Sequence, residues 1–97
     1  MAKVKAHLNL ITYALAQGYT VDVDGGGDDL DARRATGYAE IKSHVEAVDA
    51  SNIIIRDARG QRMGSALIVL DYDQAPDEII ADYSCSPFME QWAAQYY

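Results

Sequence analysis

The sequence predicts an α+β fold with a three-stranded antiparallel sheet and about three helices, in the order α-β-α-β-β-α. Three patterns indicate this fold: apolar residues at helical spacing in three parts of the chain, one stretch of alternating apolar and polar residues, and two strand-like runs joined by a short turn that contains glycine. A chain of 97 residues, 49% of them hydrophobic, has the size and composition of one folded domain. We therefore expect residues 1–97 to form a single domain.

The first helix and the first strand are predicted near the N-terminus. The apolar stripe of this helix consists of Val4, Leu8, Ile11 and Leu15. Gly18 follows the stripe, and glycine readily adopts the left-handed conformation that is common just beyond a helix end. Residues 19–24 then alternate apolar and polar side chains, which predicts a strand with one increasingly acidic face. The consecutive glycines at 25–27 predict a loop after this strand.

A second helix and a β-hairpin are predicted in the middle of the chain. The helix is expected over residues 36–49, because apolar residues again recur at helical spacing. Its stripe consists of Tyr38, Ile41, Val45 and Val48. The β-branched run at 53–56 and the apolar run at 63–72 read as strands. Gly60 lies in the short turn between them, which favours antiparallel pairing.

The C-terminal part is predicted to end in a third helix. Ser86 and Pro87 are residue types that favour the cap and the first position of a helix. Phe88 and Trp92, which follow at helical spacing, are expected on its buried side. Residues 77–83 fit either a helical turn or a short strand, and the sequence pattern leaves both open.

The balance of charge limits the partners that this chain is expected to bind. Fifteen Asp and Glu residues against eight Lys and Arg residues give a net charge of −7 at pH 7. Nucleic acids and anionic lipids attract basic proteins, so this net charge predicts neither direct nucleic-acid binding nor docking on a membrane. No apolar run approaches the roughly 20 residues that a membrane span needs. A basic protein surface and a cation remain compatible partners.

The acids are concentrated in two segments. Residues 22–31 and 71–97 contain no Lys or Arg and together hold eleven of the fifteen acids. Alternate residues of a strand point to the same face about 7 Å apart, so acids at alternate positions form rows of carboxylates. Since one DNA strand carries a charge every ~3.4 Å along its axis, two such rows could imitate a phosphate path at reduced density. The acids predicted to bind a partner are Asp22, Asp24, Asp28, Asp29, Asp31, Asp71, Asp73, Asp77, Glu78 and Asp82.

The first acidic segment also has a partial likeness to a calcium-binding loop. With Asp22 as position one, acids occupy positions one and three and Gly27 occupies position six, as in an EF-hand. However, Gly26 at position five and Arg33 at position twelve cannot supply the expected ligands. A cation- or small-molecule-binding module that uses the 22–31 loop therefore remains an alternative, without a predicted metal site.

The sequence contains no convincing catalytic or metal-binding pattern. His7 and His44 lie on different predicted helices, and no His or Cys spacing typical of zinc sites is present. Cys85 is the single cysteine, which excludes an intrachain disulfide, and no base and orienting group can be assigned to it. We expect Cys85 to be a buried or half-buried thiol. We therefore predict a non-enzymatic protein without a cofactor.

Four stretches of the chain resemble small accessory proteins of phages and prophages. These are YALAQGYTV at 13–21, IIRDARGQRMGSALIVL at 54–70, APDEIIADYS at 75–84 and FMEQW at 88–92. In size and acidity the chain is also similar to the type I-F anti-CRISPR proteins that act as DNA mimics. With a single cysteine and no membrane-length apolar run, we expect a monomer in the host bacterial cytoplasm. The resemblance implies binding to the basic, DNA-gripping surface of a CRISPR RNA-guided surveillance complex. A mimic aimed at another DNA-binding protein, such as a restriction enzyme, repressor or nuclease, is the alternative.

Overall fold

The computed structural model of the protein describes residues 4–27, 30–71 and 73–97. The helices are α1 (Ala6–Ala16), α2 (Tyr38–Glu46) and α3 (Pro87–Tyr96). The strands are β1 (Thr20–Asp24), β2 (Ala32–Ala35), β3 (Ala50–Arg56), β4 (Arg62–Val69) and β5 (Ile80–Tyr83), and a 3₁₀ helix at Pro76–Glu78 precedes β5. In these ranges no helix is both long and apolar enough to cross a membrane.

The sheet has five strands in the described part of the chain, so the prediction of a three-stranded sheet is wrong. The strand order is β2-β1-β3-β4-β5, and every neighbouring pair is antiparallel. The element order is accordingly α-β-β-α-β-β-β-α rather than α-β-α-β-β-α. The fold remains α+β, and the two additional strands form the two edges of the sheet.

The edge strand β2 has a sequence that does not read as a strand. It consists of two arginines between two alanines, without the β-branched or aromatic residues that are typical of strands. A β-bulge interrupts its pairing with β1, and Arg34 adopts a φ of 49°, which is uncommon for a residue other than glycine. Pairing along the edge of β1 therefore forms this strand, and intrinsic propensity contributes little.

The other edge strand lies in the segment that the sequence pattern left open. Pro76 begins the 3₁₀ helix, whose last turn leads into β5 at Ile80. The backbone N–H of Val69 donates a hydrogen bond to the carbonyl of Ile79 at 2.9 Å, which holds the start of β5 against the end of β4. The second helix is also shorter than predicted and covers Tyr38–Glu46 instead of residues 36–49.

The three described helices pack against one face of the sheet. The strand residues on this core face are almost fully buried, and they are Val21, Val23, Ile53, Ile55, Ala66 and Ile68. Trp92 of α3 is fully buried among them, and its indole N–H donates to Asn9 Oδ1 of α1 at 2.9 Å. Helix α3 packs tightly on the sheet at Gly64, where a Cβ would collide with the side chain of Met89. None of these three helices packs on the opposite face of the sheet, which we call the open face.

Candidate functional site: two charged ends of the sheet

Antiparallel pairing brings the two acidic segments to the same end of the sheet. Because β1 and β4 both pair antiparallel with β3, they run in the same direction and end on the same side. The loops that follow them, and the start of β5, therefore lie close together. We call this region the acidic end, and its members are Asp24, Asp31, Asp49, Asp71, Asp73, Asp77, Glu78 and Asp82.

The strand register fixes the positions of two acids on the open face. Asp24 pairs with Asn52, Asn52 with Leu67, and Leu67 with Asp82, so all four residues form one row across the sheet. Asp24 and Asp82 are separated by three strand spacings, which is about 14 Å. The row shows that acids from the first and the second segment share one face of the protein.

Most carboxylates of the acidic end are exposed to solvent. Asp31, Asp71, Asp73, Asp77, Glu78 and Asp82 are all exposed. Asp24 is half-buried, and its Oδ1 accepts a hydrogen bond from the backbone N–H of Gly26 at 2.9 Å. A shallow groove of about 590 Å³ at this end is lined by Lys5, Asp49, Leu70 and Asp71. The groove thus combines one basic and two acidic side chains, and the acids outside it face water.

Asp22 does not belong to this exposed surface, although the sequence placed it there. Its side chain is 4% exposed, and Oδ2 accepts a hydrogen bond from Arg56 Nε at 2.8 Å. Oδ1 accepts a second one from the backbone N–H of Arg34 at 2.7 Å. Burial alone would raise the pKa of Asp22, but the hydrogen bonds from Arg56 and Arg34 outweigh it, and the pKa is lowered. Asp22 is therefore a charged structural residue that joins three strands.

The structure gives little support to a cation site in the 22–31 loop. Asp28 and Asp29 lie outside the described residues. Both carboxylate oxygens of Asp22 already accept hydrogen bonds, one from Arg34 and one from Arg56. Asp24 accepts a hydrogen bond from the backbone N–H of Gly26. Within the ranges that the structure describes, no group of three or more His, Cys, Asp or Glu side chains could hold a metal ion.

Most of the arginines lie toward the hairpin between β3 and β4, although Arg33 is only two residues from Asp31 of the acidic end. We call the five arginines together the arginine end, and they are Arg33, Arg34, Arg56, Arg59 and Arg62, all the arginines of the sequence. Arg56 and Arg62 are register partners where β3 and β4 meet the hairpin turn, and Arg59 lies in that turn. From the sequence it follows only that every Lys and Arg lies outside the two acidic segments. The cluster itself could not be predicted, because it depends on how β2 and the hairpin are placed.

Gly60 is the point at which two of these arginines meet. Arg56 Nη1 donates to the Gly60 carbonyl at 3.0 Å. Gly60 has a φ of 84°, and a Cβ built on it would lie 2.7 Å from Arg34 Nη2, so the Arg34 guanidinium lies against the turn. Arg62 Nη2 donates a hydrogen bond to Ser65 Oγ, three residues further along the chain, at 2.6 Å. The Arg34 and Arg56 guanidinium groups therefore meet at the hairpin turn, and the Arg62 guanidinium lies beside Ser65 of β4.

A buried histidine forms a separate hydrogen-bonded chain between α1 and α2. His7 is fully buried, and its Nε2 lies 2.8 Å from Glu46 Oε2, whose other oxygen accepts from Lys42 Nζ at 2.9 Å. His7 Nδ1 is buried and has no hydrogen-bond partner within the described structure. Burial lowers the pKa of His7, and the hydrogen bond and charge of Glu46 only partly offset this effect. The arrangement keeps a neutral imidazole in the core, with Nε2–H donating to the carboxylate.

The thiol of Cys85 is more accessible to solvent than the sequence predicted. We expected Cys85 to be buried or half-buried, but it is exposed in the segment between β5 and α3.

Comparison with protein-family models, with curated proteins and with solved structures gives no match for this chain.

Proposed function

We propose that the protein is a non-enzymatic inhibitor whose acidic end occupies a basic, nucleic-acid-binding surface of another protein. One observation carries the proposal: two acidic segments that are far apart in sequence meet at one end of the sheet, with acids from both in one row of the open face. If the acids were spread evenly over the surface, the two segments would not meet at one end of the sheet. Excluding Asp22 sharpens the proposed contact surface to the exposed carboxylates of the acidic end.

The rows of carboxylates about 7 Å apart that the sequence predicted are not formed, because Asp22 is buried and β4 ends at Val69, but the exposed acids of the acidic end still place several negative charges on one surface. The row from Asp24 to Asp82 spans about 14 Å, and further exposed acids continue beyond it in the loop at 71–78. Such a surface would pair with Lys and Arg side chains that normally contact phosphates, and its field would speed association at low salt. Binding would therefore weaken as the salt concentration rises.

The resemblance to type I-F anti-CRISPR proteins supplies the first target to test. In that case the protein would act in the host bacterial cytoplasm and block target DNA binding by the CRISPR RNA-guided surveillance complex. The experiment is a competition: purified complex, labelled target DNA duplex and increasing amounts of this protein. We expect loss of DNA binding at excess protein, and unchanged DNA binding would eliminate this target.

A pair of charge-matched variants tests the role of the acidic end itself. Asp73→Asn/Asp82→Asn removes two exposed acids of that end, whereas Glu40→Gln/Glu90→Gln removes two exposed acids of α2 and α3. Both variants change the net charge by the same amount. The proposal requires much weaker inhibition in the first variant only, and equal inhibition by both would contradict it.

A further inference from the structure

We infer that the arginine end binds the phosphate backbone of a nucleic acid. All five arginines of the sequence belong to this cluster, while the lysines lie elsewhere in the chain. The planar guanidinium forms paired hydrogen bonds with phosphate oxygens and is the preferred group for phosphate recognition. This surface is independent of the inhibitor function proposed above, because it is formed by different residues.

Among the described residues, positive charge exceeds negative charge in the cluster, since its five arginines face two acids, Asp22 and Asp57. Within the same described part of the chain, Arg56 is the only arginine in an ion pair, and its partner is Asp22. Asp57, the acid in the hairpin, accepts hydrogen bonds from the backbone N–H groups of Arg59 and Gln61 at 2.9 Å. Arg33, Arg34, Arg59 and Arg62 are exposed. The excess of like charges is repulsive, and a bound polyanion would remove this repulsion.

The hydrogen bonds at the hairpin also order the cluster before any ligand binds. Arg56 is held between Asp22 Oδ2 and the Gly60 carbonyl, and Arg34 lies against Gly60. Arg62 is held by Ser65 Oγ. Side chains that are already oriented lose less entropy on binding, which favours affinity.

The net charge of −7 does not prevent this contact, because four of the acids lie in the 71–78 loop, away from the cluster, although Asp31 is only two residues from Arg33. The acids of the 71–78 loop follow the end of β4, which is about 24 Å along the strand from Arg62. At physiological ionic strength the Debye length is about 8 Å, so these acids are screened from a phosphate that sits at the arginine end. We expected no direct nucleic-acid binding because of the net charge of the whole chain. That reasoning does not consider the local charge of the arginine end.

The open face indicates which part of a nucleic acid would be contacted. Its described residues next to the cluster include Thr20, Ile54 and Ser65, and none of these three is aromatic. These residues offer no aromatic platform for stacking bases. We therefore expect contacts to phosphates, with little dependence on base sequence.

Fluorescence anisotropy with a labelled 20-base-pair DNA duplex and a single-stranded RNA of equal length tests the inference. The variant Arg59→Gln/Arg62→Gln is compared with Lys5→Gln/Lys42→Gln, which has the same net charge. We expect the wild-type protein to bind at 50 mM NaCl. The arginine variant should bind roughly ten- to a hundredfold more weakly, with the slope of log K against log salt less steep by about 2 for the duplex. The lysine variant should bind like the wild type.

Three results would overturn the inference. The first is that neither probe binds at 50 mM NaCl. The second is that the two charge-matched variants weaken binding equally, although circular dichroism shows both to be folded. The third is that sedimentation without nucleic acid detects assembly that is lost in Arg59→Gln/Arg62→Gln and in Asp73→Asn/Asp82→Asn. This third result would mean that the arginine end pairs with the acidic end of a second copy.

Discussion

Asp22 and Arg56 form an ion pair between neighbouring strands, with Oδ2 and Nε 2.8 Å apart. The register places Arg56 opposite Thr20 and Asp22 opposite Ile54, so the two charged residues are diagonal neighbours on the open face. The same carboxylate accepts the N–H of Arg34 at the β2 bulge. One buried carboxylate thereby connects β2, β1 and β3 and also orients a residue of the arginine end.

The first prediction concerns the contribution of Asp22 to stability. Asp22→Ala is expected to lower the free energy of unfolding by about 2–4 kcal/mol, because it leaves the Arg34 N–H and the Arg56 guanidinium without their acceptor. Asp22→Asn keeps one acceptor oxygen and should cost about 1–2 kcal/mol. Urea denaturation at pH 7 measures both changes. Asp24→Asn, on the same strand, is the control and should stay within about 0.5 kcal/mol of the wild type. Equal effects at both positions would show that the ion pair is not a major source of stability.

The second prediction concerns the pH dependence of stability. His7 has a lowered pKa in the folded protein, whereas in the unfolded chain it titrates near its ordinary value of about 6.5. Just below pH 6.5 the unfolded state therefore binds more protons, and stability falls as the pH is lowered. Asp22 and Glu46 have ordinary values of 3.8 and 4.5 and lowered pKa values when folded, so their contributions are lost only at lower pH.

The measurement is the melting temperature between pH 7.5 and pH 5.5. We expect it to decrease with falling pH in the wild-type protein and in His44→Gln, which removes the other histidine. In His7→Gln, which can still donate to Glu46, the decrease should be much smaller. A decrease of the same size in His7→Gln would assign the pH dependence to another group.

The third prediction concerns the contact between α3 and β4. A Cβ at Gly64 would lie 2.8 Å from Met89 Sδ, so Gly64→Ala forces the fully buried Met89 to move. We expect a loss of about 1–3 kcal/mol in unfolding free energy from this overpacking. Met89→Ala should cost about 2–5 kcal/mol through the cavity that it leaves.

A double-mutant cycle separates this contact from the intrinsic effect of alanine in a strand. The Gly64→Ala/Met89→Ala protein should lose less than the sum of the two single losses, with a coupling energy of about 1 kcal/mol or more. Additive losses would mean that the approach of α3 to β4 does not depend on this glycine.

The sequence predicts those elements whose residues carry their own pattern. The stripe of α1, the alternation of β1 and the Gly60 turn of the hairpin are properties of local sequence, and the structure contains all three elements. The strand β2 has no such pattern, because its Ala-Arg-Arg-Ala sequence pairs only when β1 already offers an edge. A local sequence pattern does not reveal pairing between separate strands, and this is why a three-stranded sheet was predicted.

The same limit applies to the charged residues. Asp22 and Asp24 look equivalent in sequence, since they alternate on one strand, but only Asp22 lies beside Arg34 and Arg56. Its burial could be predicted only with the register of β1 against β3. Conversely, Asp49 was not assigned to the acidic surface, and it joins the acidic end because its carbonyl accepts the N–H of Leu70 at 2.8 Å. Strand order decides which charges become neighbours.

The fourth prediction concerns the effect of salt on stability. The exposed acids of the acidic end repel one another, and this repulsion is strongest when the Debye length is long, about 30 Å at 0.01 M salt against about 8 Å at 0.15 M. Raising NaCl from 10 to 150 mM should therefore increase the melting temperature of the wild-type protein by roughly 2–4 °C, which corresponds to about 0.5 kcal/mol. Differential scanning calorimetry measures the change. Asp73→Asn/Asp82→Asn should be more stable than the wild type at 10 mM NaCl and respond less to salt, whereas Glu40→Gln/Glu90→Gln should respond as the wild type does. A melting temperature that falls with salt would instead mean that attraction between the acidic and arginine ends exceeds the repulsion within them.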